Sequence, residues 1–246
     1  MTGFINDDVL RRGPWQAFQR AVARLMICDG FDQVRIVNRA GDEGADILAT
    51  KNGKRWVVQV KFRKNEYTGK DAVAEVLNAL HVYRADIPVV AMNGVRNQGL
   101  LNFQKDLLSQ NINLQIWDRN ALLNRFSKLS EKPLNLRPPR PYQETPINEI
   151  SNRYLNHSEN RALVIMATGL GKTYVAAESL RRIIESSIQK PRVLVLAHSN
   201  ELVYQLERNF SMLMPKSIIT SIWNGLEPFD YSNDTVIPNS SWKLNT

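Results

Sequence analysis

The stretch Arg161-Ala162-Leu163-Val164-Ile165-Met166-Ala167-Thr168-Gly169-Leu170-Gly171-Lys172-Thr173 decides how the second half of this chain is read. Residues 161–166 have the composition of a buried strand, Gly169 and Gly171 mark a turn, and Lys172-Thr173 opens a stretch of helical periodicity. Strand, glycine-rich turn and helix N-terminus, in that order, make a phosphate cradle. The glycines let backbone N–H groups turn inward, and the helix start adds about half a positive charge. In such a cradle Thr168, Gly169 and Gly171 line the phosphates, Lys172 reaches the β- and γ-phosphates of a nucleoside triphosphate, and the Thr173 hydroxyl takes one position on Mg2+. ATP and Mg2+ are the expected ligands. The first position of the loop is Met166, where the strict pattern has glycine.

Working outward from the loop, the pattern predicts a helix over 143–156, a strand over 161–166, a helix over 172–188, a strand over 192–197, a helix over 200–210 and a strand over 217–222. Alternation at this spacing implies right-handed βαβ crossovers and a parallel sheet. Residues 225–246 show little periodicity. Upstream, Glu131-Lys132-Pro133-Leu134-Asn135-Leu136-Arg137-Pro138-Pro139-Arg140-Pro141 carries four prolines, which cannot continue a helix or a central strand. The expected division is a first unit over 1–130, a stiff linker over 131–141 and a second unit over 142–246.

The first unit reads as a helix over 14–29, with Pro14 in its first turn, and a strand over 33–38. Strands over 45–50 and 55–62 follow, joined at Asn52-Gly53. A helix (71–84), a strand (87–92), a helix (98–110), a strand (113–117) and a helix (119–128) complete it. This is a mixed α/β sheet with helices packed on it. Asn-Gly is a strong hairpin signal because both turn positions need positive φ. A two-residue loop there sets Asp46 opposite Gln59, with Cβ atoms about 4.5–5.5 Å apart. Gln59 and Lys61 are two apart on one strand and so share that face, while Trp56, Val58, Val60 and Phe62 face the other way.

The segment Ala167-Thr168-Gly169-Leu170-Gly171-Lys172-Thr173 resembles motif I of superfamily 2 helicases and translocases. Arg140-Pro141-Tyr142-Gln143 is similar to the segment of type I and type III restriction-enzyme motors in which a glutamine reads the adenine edge, a role the resemblance carries to Gln143. Val193 to Gln205 resembles motif Ia, whose turn touches the nucleic-acid backbone. His198 and Ser199 occupy that turn here. The resemblance also leads one to expect an acidic Asp-Glu box and a second RecA-like lobe. Neither is in this sequence, so a truncated or frameshifted motor is expected, with little ATP turnover of its own. The missing C-terminal part of the motor, or other restriction-system subunits, would be its partners.

Gly41-Asp42-Glu43-Gly44-Ala45-Asp46-Ile47 followed by Val57-Val58-Gln59-Val60-Lys61 resembles the Mrr-type branch of the PD-(D/E)XK restriction endonucleases, in which glutamine replaces the middle acid. The likeness runs over about 14–128 and includes Gly30-Phe31 and Leu114 to Leu123. It implies a restriction-endonuclease-like mixed sheet and Mg2+-dependent DNA cleavage. Asp46, the Gln59 side-chain oxygen and the Val60 carbonyl would hold the metal, an ion that prefers oxygen ligands. Lys61 would position water and stabilise charge on the phosphate. The family often has Phe-Glu in its first helix, where this chain has Phe18-Gln19. Glu43 is the acid available to compensate. The resulting expectation is a DNA restriction or defence protein, with catalytic Asp46, Gln59 and Lys61, joined to an ATP-binding motor lobe. The alternative from another class is a non-cleaving DNA-binding module with an inert motor fragment.

Composition agrees with a polyanionic partner and narrows little else. The 246 residues carry a net charge of +8, are 43% hydrophobic and 23% charged, and hold a single cysteine, Cys28. Lys and Arg excess favours nucleic acid through counterion release. One cysteine excludes an internal disulfide and suits a reducing cytoplasm. No apolar run approaches the ~18 residues of a membrane helix. His81 and His157 stand apart from any metal-spaced partner, and the Trp residues are scattered.

Overall fold

The computed structural model describes residues 3–37, 43–63, 70–133, 136–156 and 161–222. Gly41, Asp42, His157 and the tail 225–246 lie outside the described residues. The first unit runs α1 (Asp7–Arg12), α2 (Trp15–Cys28), β1 (Asp32–Ile36), β2 (Ile47–Lys51), β3 (Lys54–Lys61), α3 (Lys70–Val82), β4 (Ile87–Met92), α4 (Gln98–Ser109), β5 (Gln115–Trp117) and α5 (Arg119–Lys128). Its sheet is mixed, in the order β1-β2-β3-β4-β5. The first two pairings are antiparallel and the last two parallel.

The hairpin forms where Asn-Gly places it. Asn52 (φ 52°) and Gly53 (φ 74°) both take the left-handed region. All five β2–β3 pairs, from Lys51↔Lys54 to Ile47↔Val58, keep the expected register. Alternation then sends β3 to both faces. Val58 packs with Ile47, Val89 and Ala91 under Phe18, Val22, Leu25 and Met26 of α2 and Leu122 and Phe126 of α5. Val57 packs with Val90, Met92 and Ile116 under Ala72, Val73, Val76 and Ala79 of α3 and Leu100 and Leu107 of α4. β4 is buried along all six residues, as a strand covered on both faces must be.

Pro14 stands one position earlier than expected, as the N-cap of α2. α4 and α5 start on the side chains of Asn97 and Asp118, which accept from Leu100 N–H (2.9 Å) and Ala121 N–H (2.8 Å). α1 is not anticipated by periodicity; six residues are too few to show one, and the Asn6 side chain that caps it accepts from Val9 N–H at 2.9 Å.

The second unit contains α6 (Pro141–Asn156), α7 (Lys172–Ser186) and α8 (Asn200–Leu213). The strands expected at 161–166, 192–197 and 217–222 have no ladder partner among the described residues. A strand exists by pairing, and these runs leave Leu163 (86%), Ile165 (88%), Leu194 (76%) and Leu196 (80%) exposed. What is buried in this unit lies chiefly between helices, at Ala177, Ile184, Phe210 and Met214.

The two units touch through α2 and the end of α8. Arg24, only 4% exposed, donates to the carbonyls of Met214 (3.2 Å), Pro215 (3.0 Å) and Ile218 (2.9 Å). Arg208 donates to Val34 O at 2.9 Å, and Phe4 N–H to Lys216 O at 3.2 Å. Burial pushes the Arg24 guanidinium down to about 10. Among the described residues no helix is long and apolar enough to cross a membrane.

Candidate active site and nucleotide loop

The candidate nuclease residues lie where β2 parts from β3, but the expected common face is not kept: the Asp46 carboxylate meets Gln19 of α2, whereas Lys61 turns to Glu75 of α3, on the other face of the sheet. The ladder ends at Ile47↔Val58, and Asp46 bends away instead of completing a regular pair with Gln59. Its N–H reaches Val58 O at 2.9 Å, and its carboxylate accepts the Val60 N–H at 2.6 Å. The other carboxylate oxygen accepts from Gln19 Nε2 of α2 at 3.0 Å. Gln19, flagged in the sequence only as a departure from an acid, is thus a direct neighbour of Asp46 and is 3% exposed. Sequence alone gives no sign that its amide would be a donor to that carboxylate.

Gln59 is 8% exposed, and its Oε1 is buried without a hydrogen-bond partner. Such an atom in a native interior calls for an explanation, and a hard cation is one. The donor set around it is oxygen-rich but carries little charge. Among the described residues no three His, Cys, Asp or Glu side chains cluster. The backbone and carboxylate oxygens of Glu43, the acid expected to compensate, accept from Asn78 Nδ2 of α3 at 3.0 and 3.1 Å.

Lys61 turns toward α3, where its Nζ lies 2.5 Å from Glu75 Oε2. Glu75 is a second residue the sequence reading missed. Beyond Lys61, Arg63 N–H donates to Asn93 Oδ1 (2.9 Å) and Asn93 Nδ2 to Arg63 O (3.0 Å), which carries the β3–β4 contact past the last ladder pair.

The candidate nucleotide loop turns on its two glycines. Gly169 and Gly171 take φ of 83° and 85°, and Gly171 caps α7. A Cβ at Gly171 would lie 2.6 Å from Gln143 Nε2, so the glycine also makes room for that side chain. Gln143 is held at both ends: Nε2 donates to Leu170 O at 2.8 Å, and Oε1 accepts from Arg140 N–H at 3.0 Å. The structure therefore seats Gln143 against the loop. Lys172 folds back, donating to Met166 O and Ala167 O at 3.3 Å each. Thr168 is exposed and Thr173 half-buried. His198 is exposed, and Ser199 is the N-cap of α8, its Oγ accepting from Leu202 N–H at 3.4 Å.

Comparison with known proteins finds two family models along the chain. Residues 10–126 match the Mrr catalytic family described as "Restriction endonuclease", and residues 137–239 the family described as "Type III restriction enzyme, res subunit". The endonuclease subunit of the type I restriction enzyme EcoAI of Escherichia coli is 44% identical over 71 residues, 29% of this chain and 8% of that protein. A probable ATP-dependent RNA helicase, ddx51 of Dictyostelium discoideum, is 26% identical over 99 residues, 39% of this chain and 18% of that protein. The chain thus spans under a fifth of the length of either curated relative. A solved protein of unknown function aligns over 69% of this chain and 98% of its own, at 18% identity and a TM-score of 0.36. Two family models thus match in succession, the Mrr catalytic restriction-endonuclease model over 10–126 and the type III restriction res-subunit model over 137–239.

Proposed function

We propose that this chain is a DNA restriction or defence protein whose first unit is a Mg2+-dependent endonuclease and whose second unit binds ATP. The observation that carries the reading is the buried Gln59 Oε1, without a hydrogen-bond partner, on the end of β3 that also bears Lys61 and whose Val60 N–H holds Asp46. The Asp46 carboxylate, Gln59 Oε1 and the Val60 carbonyl would hold Mg2+, which supplies an activated water and neutralises charge on the scissile phosphate. The chain's own residues do the rest. Gln19 and the Val60 N–H fix the orientation of the Asp46 carboxylate. Lys61 carries N–H donors that suit a phosphate oxygen and the attacking water. In the second unit, Thr168, Gly169 and Gly171 present the loop backbone to phosphates, Lys172 leaves the Met166 and Ala167 carbonyls to meet them, and Thr173 offers its hydroxyl to Mg2+. Gln143 stands beside the loop for the adenine, and His198 and Ser199 stand at the turn expected to meet the DNA backbone. DNA is the partner, with other restriction subunits or the rest of a motor completing the assembly.

The test is nicking of supercoiled plasmid by the full chain with Mg2+ and no ATP. Wild type should nick weakly, and Asp46→Asn and Lys61→Ala should abolish nicking. Lys61→Ala should leave most DNA binding, since one charge among many contributes modestly to non-specific affinity. Nicking that survives in both variants would refute the assignment of the site.

One observation favours a second reading, a DNA-binding module that does not cut. Both Asp46 oxygens already accept N–H donors, and among the described residues no three His, Cys, Asp or Glu side chains cluster. Titration with Mg2+ separates the two, because only the nuclease needs the metal.

A further inference from the structure

We propose that Glu75 is the positioning residue for Lys61, and that the polar face of α3 is the part of the molecule that sets the cutting end of β3. The proposal rests on the nuclease reading and adds to it a residue which that reading does not contain.

Asp71, Glu75 and Asn78 fall at i, i+4 and i+7 and so line one side of α3. Each holds a different part of the site rim. Asp71 accepts from Arg63 at 2.8 Å, Glu75 from Lys61 at 2.5 Å, and Asn78 donates to Glu43 at 3.0 Å. The opposite side of the same helix is Ala72, Val73, Val76 and Ala79, all buried against Val57 and its neighbours. Glu75 is therefore anchored through its own helix to the sheet that carries Lys61. The loop before Asp46 is anchored there as well. Gly44, at φ 87°, lies so close to the Glu75 carbonyl that a Cβ would collide with it. One helical turn thus fixes both the lysine and the approach to the carboxylate.

An isolated exposed ion pair contributes almost nothing. This one differs in placement. The Lys61 side chain is 14% exposed and that of Glu75 40%, so the pair is shut on the lysine side and open on the glutamate side. An ammonium has three donors. One is taken by Glu75, which leaves two for a phosphate oxygen and a water. Without Glu75 the four-carbon stem of Lys61 has many rotamers and no fixed site, and preorganisation is lost.

The experiment uses the full chain as wild type, Glu75→Ala, Glu75→Gln and Lys61→Ala. Lys61 is labelled with a small amine-reactive ester and quantified by mass spectrometry, with Lys172 as internal control. Nicking kinetics with Mg2+ and a melting curve are recorded beside it. Labelling of Lys61 should rise several-fold in Glu75→Ala, and less in Glu75→Gln, which keeps a hydrogen-bonding oxygen. The turnover rate should fall about 10–100-fold in Glu75→Ala, as for other groups that orient a reacting one, with KM for DNA nearly unchanged. Partial recovery in Glu75→Gln is expected, and that variant carries both readouts if Glu75→Ala melts early. Unchanged labelling of Lys61 in a folded variant overturns the proposal, as does raised labelling with undiminished nicking. Raised labelling together with no nicking by wild type would keep the placement of Lys61 by Glu75 and reject the nuclease reading instead.

Discussion

The two halves of the chain treat runs of similar composition in opposite ways. Val57-Val58 and Val89-Val90-Ala91 are fully buried, each strand taking partners on both edges and helices on both faces. Leu163-Val164-Ile165 and Val193-Leu194-Val195-Leu196 are as apolar, yet they are exposed and unpaired among the described residues. The first unit is closed around two cores, one on each side of its sheet, whereas the second keeps a small core between helices and a loop with positive φ at Gly169 and Gly171. Apolar composition marks a candidate strand, and neighbouring backbone decides whether it becomes one.

The contrast can be broken by mutation. Trp117, 2% exposed and stacked near Phe31 and Trp56, should cost about 3–5 kcal/mol when replaced by alanine. Leu163→Ala should stay within about 0.5 kcal/mol, as at an exposed site. Urea denaturation of the two variants checks this, and equal losses would mean that the 161–166 run is packed after all. A smaller effect tests whether the halves are energetically joined. Arg24→Ala removes three charged hydrogen bonds to 214–218 and should cost about 1.5–3 kcal/mol, less whatever is regained by no longer burying the charge. The 1–130 fragment should fold, lose a similar amount of stability, and be insensitive to the same substitution. A full chain insensitive to Arg24→Ala would show the contact to be idle. The smallest effect on stability is expected at the loop. Lys172 makes only long bonds to Met166 and Ala167, so Lys172→Ala should leave the melting curve unchanged. Its ATP affinity, read by calorimetry, should nevertheless fall by tenfold or more. Undiminished affinity would take the nucleotide out of the second unit.

Much of this was legible because it is local. Asn52-Gly53 fixed the hairpin register, and with it the placing of Gln59 and Lys61 on one strand face. Gly169, Gly171 and Lys172 fixed a loop whose shape depends on φ rather than on partners. Tertiary geometry decided the rest. The bend at Asp46 arises because its carboxylate finds Val60 N–H and Gln19, two groups far apart in sequence. The polar stripe Asp71-Glu75-Asn78 is visible as helical spacing, but nothing in the spacing says that the end of β3 lies beside it. Glu43 stands near Asp46 in sequence, but that proximity gives no sign that Asn78 of α3 would be the group that meets its carboxylate.

The contact made by Arg24 has a consequence for how such a chain could be assembled in evolution. Arg24 and Arg208 both donate to backbone carbonyls, and Phe4 to Lys216 joins main chain to main chain. A carbonyl is the same group whatever side chain its residue bears, so these bonds read the course of the backbone, while Arg20 with Glu207 and Ser217 with Glu131 join side chain to side chain across the same seam. A second unit whose helix ended along the same path would keep the backbone bonds and would still need its own partners for Arg20 and Glu131. The junction is thus part backbone and part side chain, and on α2 it begins at Arg20, the residue next to the glutamine that touches Asp46, so a change of the second unit would be felt beside that carboxylate.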